Sequence, residues 1–260
     1  MQLTLVNKFA TMTSRGVLSK AWYRGEDDKL YLVKGNSKED RVIGYEPFSE
    51  VIAYRIGRVL ELDCMPYELV QGKYAPDVKL YGELEYASIC EMQELTQRIS
   101  FYEYMVALGK QYTDPCHVYL SSNLDKGYLA RLLAFDAFIG NRDRHLGNFD
   151  VHIRNGVFYN APVYDNGASL LAWESSSYVK SIKRGTKIYS DQAKPFKDTH
   201  REQIKLALKL NNNHPIFGIL NKDNFYDRIF KECEDVFAVM PDYRAEGIKN
   251  YLLNRHIYLV

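Results

Sequence analysis

The sequence predicts an α+β fold in which two lobes share a cleft, and three observations support this prediction. Strand patterns fill the first third of the chain, and helical periodicity replaces them from residue 99 onward. A length of 260 residues suffices for one large domain or for two lobes. Within the helical part, a polar loop and a hairpin turn at Asn155-Gly156 interrupt the pattern. We therefore expect a β-rich lobe over residues 1–92 and a helical lobe over residues 93–260, which together form one domain.

The composition is typical of an ordinary globular protein in water, since 46% of the residues are hydrophobic and 26% are charged. The formal net charge of +1 indicates neither a nucleic-acid-binding protein nor an acidic tail. The four cysteines form no CxxC pair, which argues against a zinc site or a disulfide framework. The N-terminus lacks a signal-peptide pattern, and no apolar stretch is long enough to span a bilayer. We expect a cytoplasmic protein with free thiols, or one exported by a route that leaves no such signal.

The first predicted strands enclose a loop that suits phosphate groups. LTLV forms the first strand, and two more flank a turn at residues 25–28, the second of them ending at Lys34. The loop before them, residues 13–20, combines one glycine with several polar residues. Such a loop either directs backbone N–H groups at phosphates or simply connects two strands.

An amphipathic helix is predicted over residues 48–62, because its apolar residues recur on one stripe. The stripe consists of Phe48, Val51, Ile52, Ile56, Val59 and Leu60. Glu50 lies near the start of this helix, where it either complements the helix dipole or reaches Lys34 across a strand–helix contact. Because of the downstream loop described below, we favour the contact with Lys34.

Two further strands are predicted at residues 67–72 and 85–95. The apolar part of the second strand leads to the segment that connects the lobes. In that position the backbone groups of Glu91 and Met92 would be free to bind the edge of an adenine ring.

The second lobe is predicted to be helical, with helices at residues 102–109 and 126–139. Asp136 lies inside the longer helix, where it either braces the following loop or faces solvent. Residues 168–198 lack periodicity, so we expect a long mobile segment of the functional kind. Its basic cluster, Lys180, Lys183, Arg184 and Lys187, is either solvated or docks an anionic substrate. Thr199 and Glu202 predict a capping box before one further helix, and two more helices are predicted to begin at Asp223 and Pro241.

The loop after the longer helix carries the residues on which a functional prediction rests. Asp143 has the chemistry to orient an acceptor hydroxyl and to take its proton late in a phosphoryl transfer. Asn148 and Asp165 offer hard oxygen ligands for Mg²⁺, and the hairpin between them returns the chain to the same end of the cleft. His145, together with Arg142 and Arg144, surrounds Asp143 with cations, and His145 is suited to stabilise the transferred phosphate.

Each of these residues, taken alone, is better explained as part of a loop salt bridge or as an ordinary solvated side chain. The ordered set Lys34, Glu50, Asp143, Asn148 and Asp165 is better explained by phosphoryl transfer.

The segment from Ile139 to Phe149, IGNRDRHLGNF, followed by Tyr164-Asp165-Asn166-Gly167, resembles the HipA-like serine/threonine kinases, and most of all their compact CtkA-type members. The resemblance covers the order of elements from Thr11 to Gly167, whereas the C-terminal third is similar only in being helical. It implies a two-lobed protein-kinase-like fold and an enzyme that uses ATP and Mg²⁺ to phosphorylate serine or threonine on a protein substrate.

The resemblance also implies roles for individual residues. Asp143 would be the catalytic base, with His145 beside the phosphate, and Asn148 and Asp165 would hold Mg²⁺. Lys34 would touch the α- and β-phosphates and pair with Glu50. The phosphate loop would consist of Ser14, Arg15, Gly16, Val17, Ser19 and Lys20. The adenine-binding hinge would consist of Cys90, Glu91 and Met92.

Two departures from the family pattern have consequences. HipA carries a lysine just before the metal-binding asparagine, where this chain has Gly147, so that charge would have to come from His145 or Arg144. The chain is also shorter than HipA, which leaves no room for its N-terminal subdomain and argues against HipA-type antitoxin binding. HipA-like kinases phosphorylate a serine in their own phosphate loop, which makes Ser14 and Ser19 the candidates for autophosphorylation and an off-switch here.

The sequence is also compatible with two other functions. Phosphoinositide lipid kinases use a similar Asp-Arg-His-x-x-Asn loop, and the basic cluster at residues 180–187 would suit an inositol phosphate headgroup. A nucleotide-binding pseudokinase that acts as an interaction module is the other alternative, although a scaffold has no need for both metal ligands and the base. Our prediction is a HipA-like protein kinase with a toxin, effector or regulatory role and no direct contact with nucleic acid.

Overall fold

The chain folds into an antiparallel sheet followed by a mainly helical part, in a computed structural model that describes residues 2–6, 18–92, 98–188, 192–210 and 224–255. The strands are β1 (Leu3–Val6), β2 (Lys20–Gly25), β3 (Leu30–Lys34), β4 (Lys38–Glu39), β5 (Val42–Ile43), β6 (Tyr67–Gln71), β7 (Tyr86–Glu91), β8 (Arg98–Ser100), β9 (Asp150–Arg154) and β10 (Val157–Asn160). The helices are α1 (Glu46–Val59), α2 (Phe101–Ala107), α3 (Pro115–Leu120), α4 (Lys126–Ile139), α5 (Ser176–Ser181), α6 (His200–Leu210), α7 (Phe225–Glu232), α8 (Glu234–Ala238) and α9 (Asp242–Arg255).

The larger sheet has five antiparallel strands in the order β1-β2-β3-β7-β6. Its central strand, β3, ends at Lys34, as the sequence predicted. Alternation of inward side chains along β2, β3 and β7 forms a small core of its own, which includes Ala21, Tyr23, Val33, Ala87 and Ile89. This arrangement holds the end of β3 rigidly beside the helix that follows.

Helix α1 packs its predicted apolar stripe into the main core, where all six stripe residues are at most 4% exposed. The helix begins two residues earlier than expected, at Glu46 with Pro47 in its first turn, and ends at Val59 rather than at residue 62. The early end follows from Glu61, which has a positive φ of 56° and therefore cannot continue the helix. Glu50 consequently lies in the second turn, so the helix-dipole explanation of its position is weakened.

The hairpin β9–β10 turns at the predicted residues, because Asn155 and Gly156 have φ values of 50° and 74°, the left-handed pair that a type I′ turn needs. The chain after the hairpin is then fixed against the segment that follows α1. Val163 donates to the Asp63 carbonyl at 2.8 Å and accepts from the Met65 N–H at 2.8 Å. Asp165, two residues later, therefore lies at the end of the central strand β3, where it contacts Lys34.

The expectation of a mobile segment at residues 168–198 is wrong for the parts that the structure describes. The segment contains α5, and Ser175 is the N-cap of this helix because its side chain accepts a hydrogen bond from the Tyr178 N–H. Val179, Ile182 and Ile188 are buried against Tyr251 of α9. The sequence pattern failed here because the buried residues are few and irregularly spaced, so they produce no visible period.

The remaining helices form the other side of the main core, and α6 packs along α4. One arm of the capping box predicted before α6 is observed, since the Glu202 N–H donates to the Thr199 Oγ1 at 3.3 Å, and this hydroxyl donates to the Glu202 carboxylate at 3.1 Å. The helix predicted to begin at Asp223 begins at Phe225 among the described residues. Across the described part of the chain, none of the helices combines the length and apolar character needed to traverse a bilayer.

Candidate active site

A cavity of about 830 Å³ lies between the end of β3 and the loop that follows α4. Six of the predicted site residues line it, namely Lys20, Lys34, Asp143, His145, Asn148 and Asp165. Glu50 is buried behind Lys34. The structure therefore brings together residues that lie up to 131 positions apart in the sequence, as in the contact of Lys34 with Asp165.

Lys34 is held between two carboxylates at the end of β3. Its Nζ lies 2.8 Å from the Oε1 of Glu50 and 2.8 Å from the Oδ1 of Asp165. The second oxygen of Glu50 accepts the Asn166 N–H at 2.7 Å, which ties α1 to the backbone just after Asp165. The predicted contact between Lys34 and Glu50 is thus present, and it extends to the candidate metal ligand.

The charges of this cluster follow from its burial. Burial lowers the pKa of Lys34, but the charges of Asp165 and Glu50 outweigh it and raise that pKa well above its ordinary value. Burial raises the pKa of Glu50 despite the nearby Lys34. Burial also raises the pKa of Asp165, yet the Lys34 ammonium prevails and the net pKa is lowered. At neutral pH the cleft therefore presents a protonated Lys34 and an ionised Asp165.

A second cation of the cavity is Lys20, which lies directly opposite Lys34 in the β2–β3 ladder. Burial and the Lys34 charge lower the pKa of Lys20. Ser19 is part of the fold, because its Oγ accepts the Lys79 N–H at 2.8 Å and its carbonyl accepts the Gly35 N–H at 2.8 Å. The other predicted residues of the phosphate loop, Ser14, Arg15, Gly16 and Val17, lie outside the described residues.

The loop after α4 is braced from inside the protein by a buried ion pair. Asp136 is fully buried and binds the Arg144 guanidinium in a bidentate pair, with both N–O distances at 3.0 Å. Arg144 also donates to the carbonyls of Asn148 and Tyr164, so it connects the two chain segments that carry the candidate metal ligands. Asp136 thus braces the loop and does not face solvent.

Arg144 and Arg142 do not surround Asp143, contrary to the sequence-based expectation. The Arg144 side chain is 1% exposed and turned toward Asp136. Arg142 pairs instead with Glu174 at 2.6 Å. Arg144 therefore cannot supply the charge that a lysine at position 147 would bring.

The Asp143 carboxylate has a different set of neighbours. Its Oδ1 lies 2.8 Å from the Nζ of Lys194, and its Oδ2 lies 3.9 Å from the Nε2 of His145. The Nδ1 of His145 accepts the Gly147 N–H at 3.0 Å, so the imidazole proton is on Nε2 and points toward Asp143. His145 is therefore able to donate from one nitrogen without being protonated on both.

Gly147 leaves room for the imidazole of His145. A Cβ at residue 147 would lie 3.1 Å from the Cε1 and Nδ1 atoms of His145. A side chain there would press against the imidazole and disturb its hydrogen bond with the Gly147 N–H. The glycine and the orientation of His145 are thus linked.

Asn148 and Asp165 have the chemistry of a shared Mg²⁺ site. Asn148 donates through Nδ2 to the Asp143 carbonyl at 3.2 Å, which leaves its Oδ1 as the atom it can offer to a cation. Among the described residues no group of three or more His, Cys, Asp or Glu side chains is arranged to hold a metal ion. A carboxylate and an amide without further protein ligands suit Mg²⁺, which keeps water and phosphate oxygens in its shell.

The predicted hinge lies at the end of β7, and one of its expected contacts is not available. The Met92 N–H donates to the Leu30 carbonyl at 2.7 Å and is therefore not free for an adenine ring. Cys90 is buried and pairs with Leu32 of β3 and Tyr67 of β6. In an antiparallel ladder, successive residues direct their N–H and C=O groups alternately to one neighbouring strand and to the other. Because Met92 bonds to β3, the N–H and C=O of Glu91 point to the side of β6, which begins only opposite Cys90. Its side chain pairs with Lys29 at 2.9 Å.

Sequence reasoning missed Lys194, the side chain that contacts Asp143 most closely. Lys194 lies 51 residues downstream, inside the segment that was expected to be mobile. No local motif marks it, because its position depends on how the segment after α5 folds back. The basic cluster at residues 180–187, in contrast, does not line the cavity.

Three solved structures share the fold. The Helicobacter pylori proinflammatory kinase CtkA matches with a TM-score of 0.67 at 16% identity, over 98% of this chain and 91% of that chain. HipA of Shewanella oneidensis MR-1, in a complex with HipB and operator DNA, matches with a TM-score of 0.53 at 12% identity, over 98% and 71% of the two chains. The Golgi casein kinase with Mn and ADP bound matches with a TM-score of 0.50 at 12% identity, over 99% and 72%.

The sheet, the helical part and these similarities define a protein-kinase-like fold, which confirms the fold predicted from the sequence. Over residues 6–238 the sequence matches the family described as the HipA-like C-terminal domain. The chain belongs to this family, as the residues around Asp143 led us to expect. A search among curated protein sequences finds no match.

Proposed function

We propose that the protein is an ATP- and Mg²⁺-dependent kinase that phosphorylates serine or threonine residues of a protein substrate. The observation that carries the proposal is the convergence in one cavity of Lys34, paired with Glu50 and Asp165, with Asp143 and Asn148. A volume of about 830 Å³ is within the range of cofactor sites. Membership of the HipA-like family and the Mn and ADP bound by the Golgi casein kinase support the same nucleotide chemistry.

The residues divide the work of phosphoryl transfer according to their positions. Lys34 and Lys20 bind phosphate oxygens, and Glu50 keeps Lys34 aimed into the cleft. Asn148 and Asp165 would hold Mg²⁺, which would neutralise negative charge on the phosphates. Lys34, which contacts Asp165 at 2.8 Å, would then direct its remaining N–H donors at phosphate oxygens.

Asp143 acts at the acceptor. Its carboxylate orients the hydroxyl of the substrate and takes the proton as the oxygen attacks the γ-phosphorus. The new P–O bond forms while the bond between the γ-phosphorus and the bridging oxygen breaks, and ADP leaves. The adenine ring is held near Glu91, at the end of β7.

The similarity to HipA-like kinases supports the further proposals of a protein substrate, an autophosphorylation site and a toxin or effector role. Within the phosphate loop, Ser14 and Ser19 are the candidate acceptors. Ser19 would have to leave its contact with the Lys79 N–H to be phosphorylated, so modification there would displace the start of β2.

The proposal is tested by phosphate transfer from radiolabelled ATP to the protein itself and to a generic protein substrate. We expect label on serine or threonine in the presence of Mg²⁺, and its loss in Asp143→Ala and Asp165→Ala. The two variants differ in binding, since Asp143→Ala should retain ATP affinity with Mg²⁺ and Asp165→Ala should lose it. Peptide mapping of the labelled protein locates any self-modification.

Two results would contradict the proposal. Transfer to phosphoinositide vesicles but not to protein would favour a lipid kinase, for which the basic cluster at residues 180–187 is placed outside the cavity. ATP binding without transfer to any acceptor would favour a pseudokinase.

A further inference from the structure

We propose that Lys194 is a catalytic residue of this kinase and supplies, from a distant segment, the cation that the loop lacks at Gly147. The assignment rests on the proposed function. Its ammonium lies 2.8 Å from the Oδ1 of Asp143, whereas His145 is nearest to the other oxygen of this carboxylate. The acceptor hydroxyl must approach this same carboxylate, so Lys194 lies where the phosphoryl group is transferred.

The fold positions Lys194 from three directions, which distinguishes it from an ordinary surface lysine. The buried Gln203 of α6 donates to the Lys194 carbonyl at 2.8 Å. The Ala193 N–H donates to the Asp198 carbonyl at 2.9 Å and closes a turn around Lys194. Two residues beyond Lys194, Phe196 packs edge-on against Phe149 with ring centroids 6.1 Å apart.

The contact with Phe149 links this turn to the catalytic loop. Phe149 directly follows Asn148, and its ring is buried together with Phe101 and Tyr119. The backbone of Lys194 is thus anchored to the same aromatic cluster that fixes the metal-binding asparagine. Its side chain spans the remaining distance to Asp143, which lines the cavity, and is 52% exposed.

An ammonium group in this position serves two purposes. It has three N–H donors, so one can remain on Asp143 while the others reach oxygens of the transferred phosphoryl group. In a loose transition state the negative charge is spread over those oxygens, where a positioned cation stabilises it. The lysine forms no covalent bond and transfers no proton in this role.

Two other cations of the site, Arg144 and Lys34, cannot perform this task from where they lie. Arg144 is turned inward and committed to Asp136. Lys34 is buried between Glu50 and Asp165 at the nucleotide end of the cleft. Lys194 is the cation in contact with Asp143 among the described residues.

The experiment compares Lys194→Met, Lys194→Arg and the matched control Lys197→Met, an exposed lysine of the same turn. We expect Lys194→Met to lower kcat about 100-fold, the lower end of the loss measured when one preorganised donor is removed. KM for ATP should change little, Lys194→Arg should recover part of kcat, and Lys197→Met should behave as wild type.

A binding measurement separates this role from turnover. Calorimetry with Mg²⁺ and ADP, with and without aluminium fluoride, compares the ground state with a mimic of the transferred phosphoryl group. Wild type should bind the aluminium fluoride complex more tightly than ADP alone, and Lys194→Met should lose most of that gain while its affinity for ADP is unchanged.

The assignment is overturned if Lys194→Met is as active as wild type, or more active, which would make the Lys194–Asp143 pair an inhibitory contact. It is also overturned if both proteins gain equally from aluminium fluoride. These results leave the proposed function intact, because wild type is active in them. Absence of transfer by wild type under all conditions instead contradicts the proposed function, and the assignment with it.

Discussion

His200, the first residue of α6, is buried beneath the catalytic loop in a neutral state. Burial, together with the guanidinium groups of Arg255 and Arg142, lowers its pKa to about 3, while the nearby Asn141 backbone opposes the shift. In the unfolded chain the same imidazole has a pKa of about 6.5. The folded state therefore binds fewer protons than the unfolded state between these two values.

The sign of this difference predicts acid sensitivity. Between about pH 6.5 and pH 3 the contribution of His200 to the free energy of unfolding should fall as the pH falls, by up to about 1.4 kcal/mol per pH unit. Urea denaturation of wild type and His200→Asn across this range measures the effect, and the variant should show a flatter dependence. The exposed His117 provides the control, because His117→Asn should keep the wild-type slope. Parallel curves for wild type and His200→Asn would show that this imidazole is protonated in the folded protein.

The sequence indicated Lys34, Glu50 and Asp165 because each lies in or after a locally recognisable element, namely β3, the amphipathic α1 and the hairpin β9–β10. The structure brings these three residues together through long-range contacts. Lys194 was not recognisable, since nothing near it in the sequence refers to Asp143. The Met92 N–H was misjudged for a similar reason, because β3 begins early enough to occupy it.

At the scale of elements, the junction between α4 and the catalytic loop depends on Gly140. This residue has a φ of 66° and ends the helix in the left-handed conformation. A Cβ at this position would lie 1.9 Å from the hydroxyl oxygen of Tyr251 in α9. Gly156 in the β9–β10 turn has a similar φ of 74° but has nothing within 4 Å of such a Cβ.

Comparing alanine substitutions of the two glycines separates the effect of backbone strain from the effect of the contact between Gly140 and Tyr251 of α9. We expect Gly156→Ala to cost about 1 kcal/mol in the free energy of unfolding, because only the backbone is strained. Gly140→Ala should cost about 2–4 kcal/mol, since overpacking adds to the same strain. Adding Tyr251→Phe should restore part of the loss at Gly140 only. Equal losses at the two positions, measured by chemical denaturation, would contradict the close approach.

The buried pair of Asp136 and Arg144 gives a second prediction at this scale. Asp136→Asn leaves the Arg144 charge uncompensated in the interior and should lower the free energy of unfolding by about 3–5 kcal/mol. Phosphate transfer should fall as well, because Arg144 orients the carbonyls of Asn148 and Tyr164.

The exposed pair of Lys29 and Glu91, with an N–O distance of 2.9 Å, serves as the control. Glu91→Gln should change the free energy of unfolding by less than about 1 kcal/mol, because solvent screens that pair. Thermal and chemical unfolding of both variants test the contrast. A small effect of Asp136→Asn would mean that the loop is held mainly by backbone contacts.

For the whole molecule, the sequence predicted the order of helices and strands along the chain more reliably than the tertiary contacts between them. The stripe of α1, the ends of α4 and the turn at Asn155-Gly156 were predictable, because periodicity and turn chemistry act over a few residues. The folding of residues 168–188 against α9 was not, since that contact joins segments separated by some 70 positions, as between Gly185 and Asn254. The cleft is formed by such long-range contacts. The residues of its local motifs could therefore be predicted from the sequence, whereas the contacts that bring distant segments together around it could not.

The coupling of the sheet to the helical part through Asp165 gives a prediction for the intact protein. Lys34 of β3 contacts Asp165 itself, and Glu50 of α1 accepts a hydrogen bond from the next residue, Asn166. A ligand bound at this point therefore contacts both the sheet and the helical part. A ligand that binds only the folded state stabilises it by about 2.7 kcal/mol at 100 times its dissociation constant. With ADP present, adding Mg²⁺ should therefore raise the free energy of unfolding of wild type, and chelation with EDTA should reverse the increase.

The same measurement on variants identifies the metal ligands without requiring turnover. Asp165→Asn should lose the Mg²⁺-dependent part of the stabilisation, because the carboxylate that binds the cation is gone. Its stability without ligands should also change, since Lys34 loses one of its two partners. Asp40→Asn is the matched control, as Asp40 lines the same cavity and should retain the full response to Mg²⁺. If Asp165→Asn responds to Mg²⁺ as wild type does, the cation is bound elsewhere, and Asp165 serves only to hold Lys34 between the sheet and the helical part.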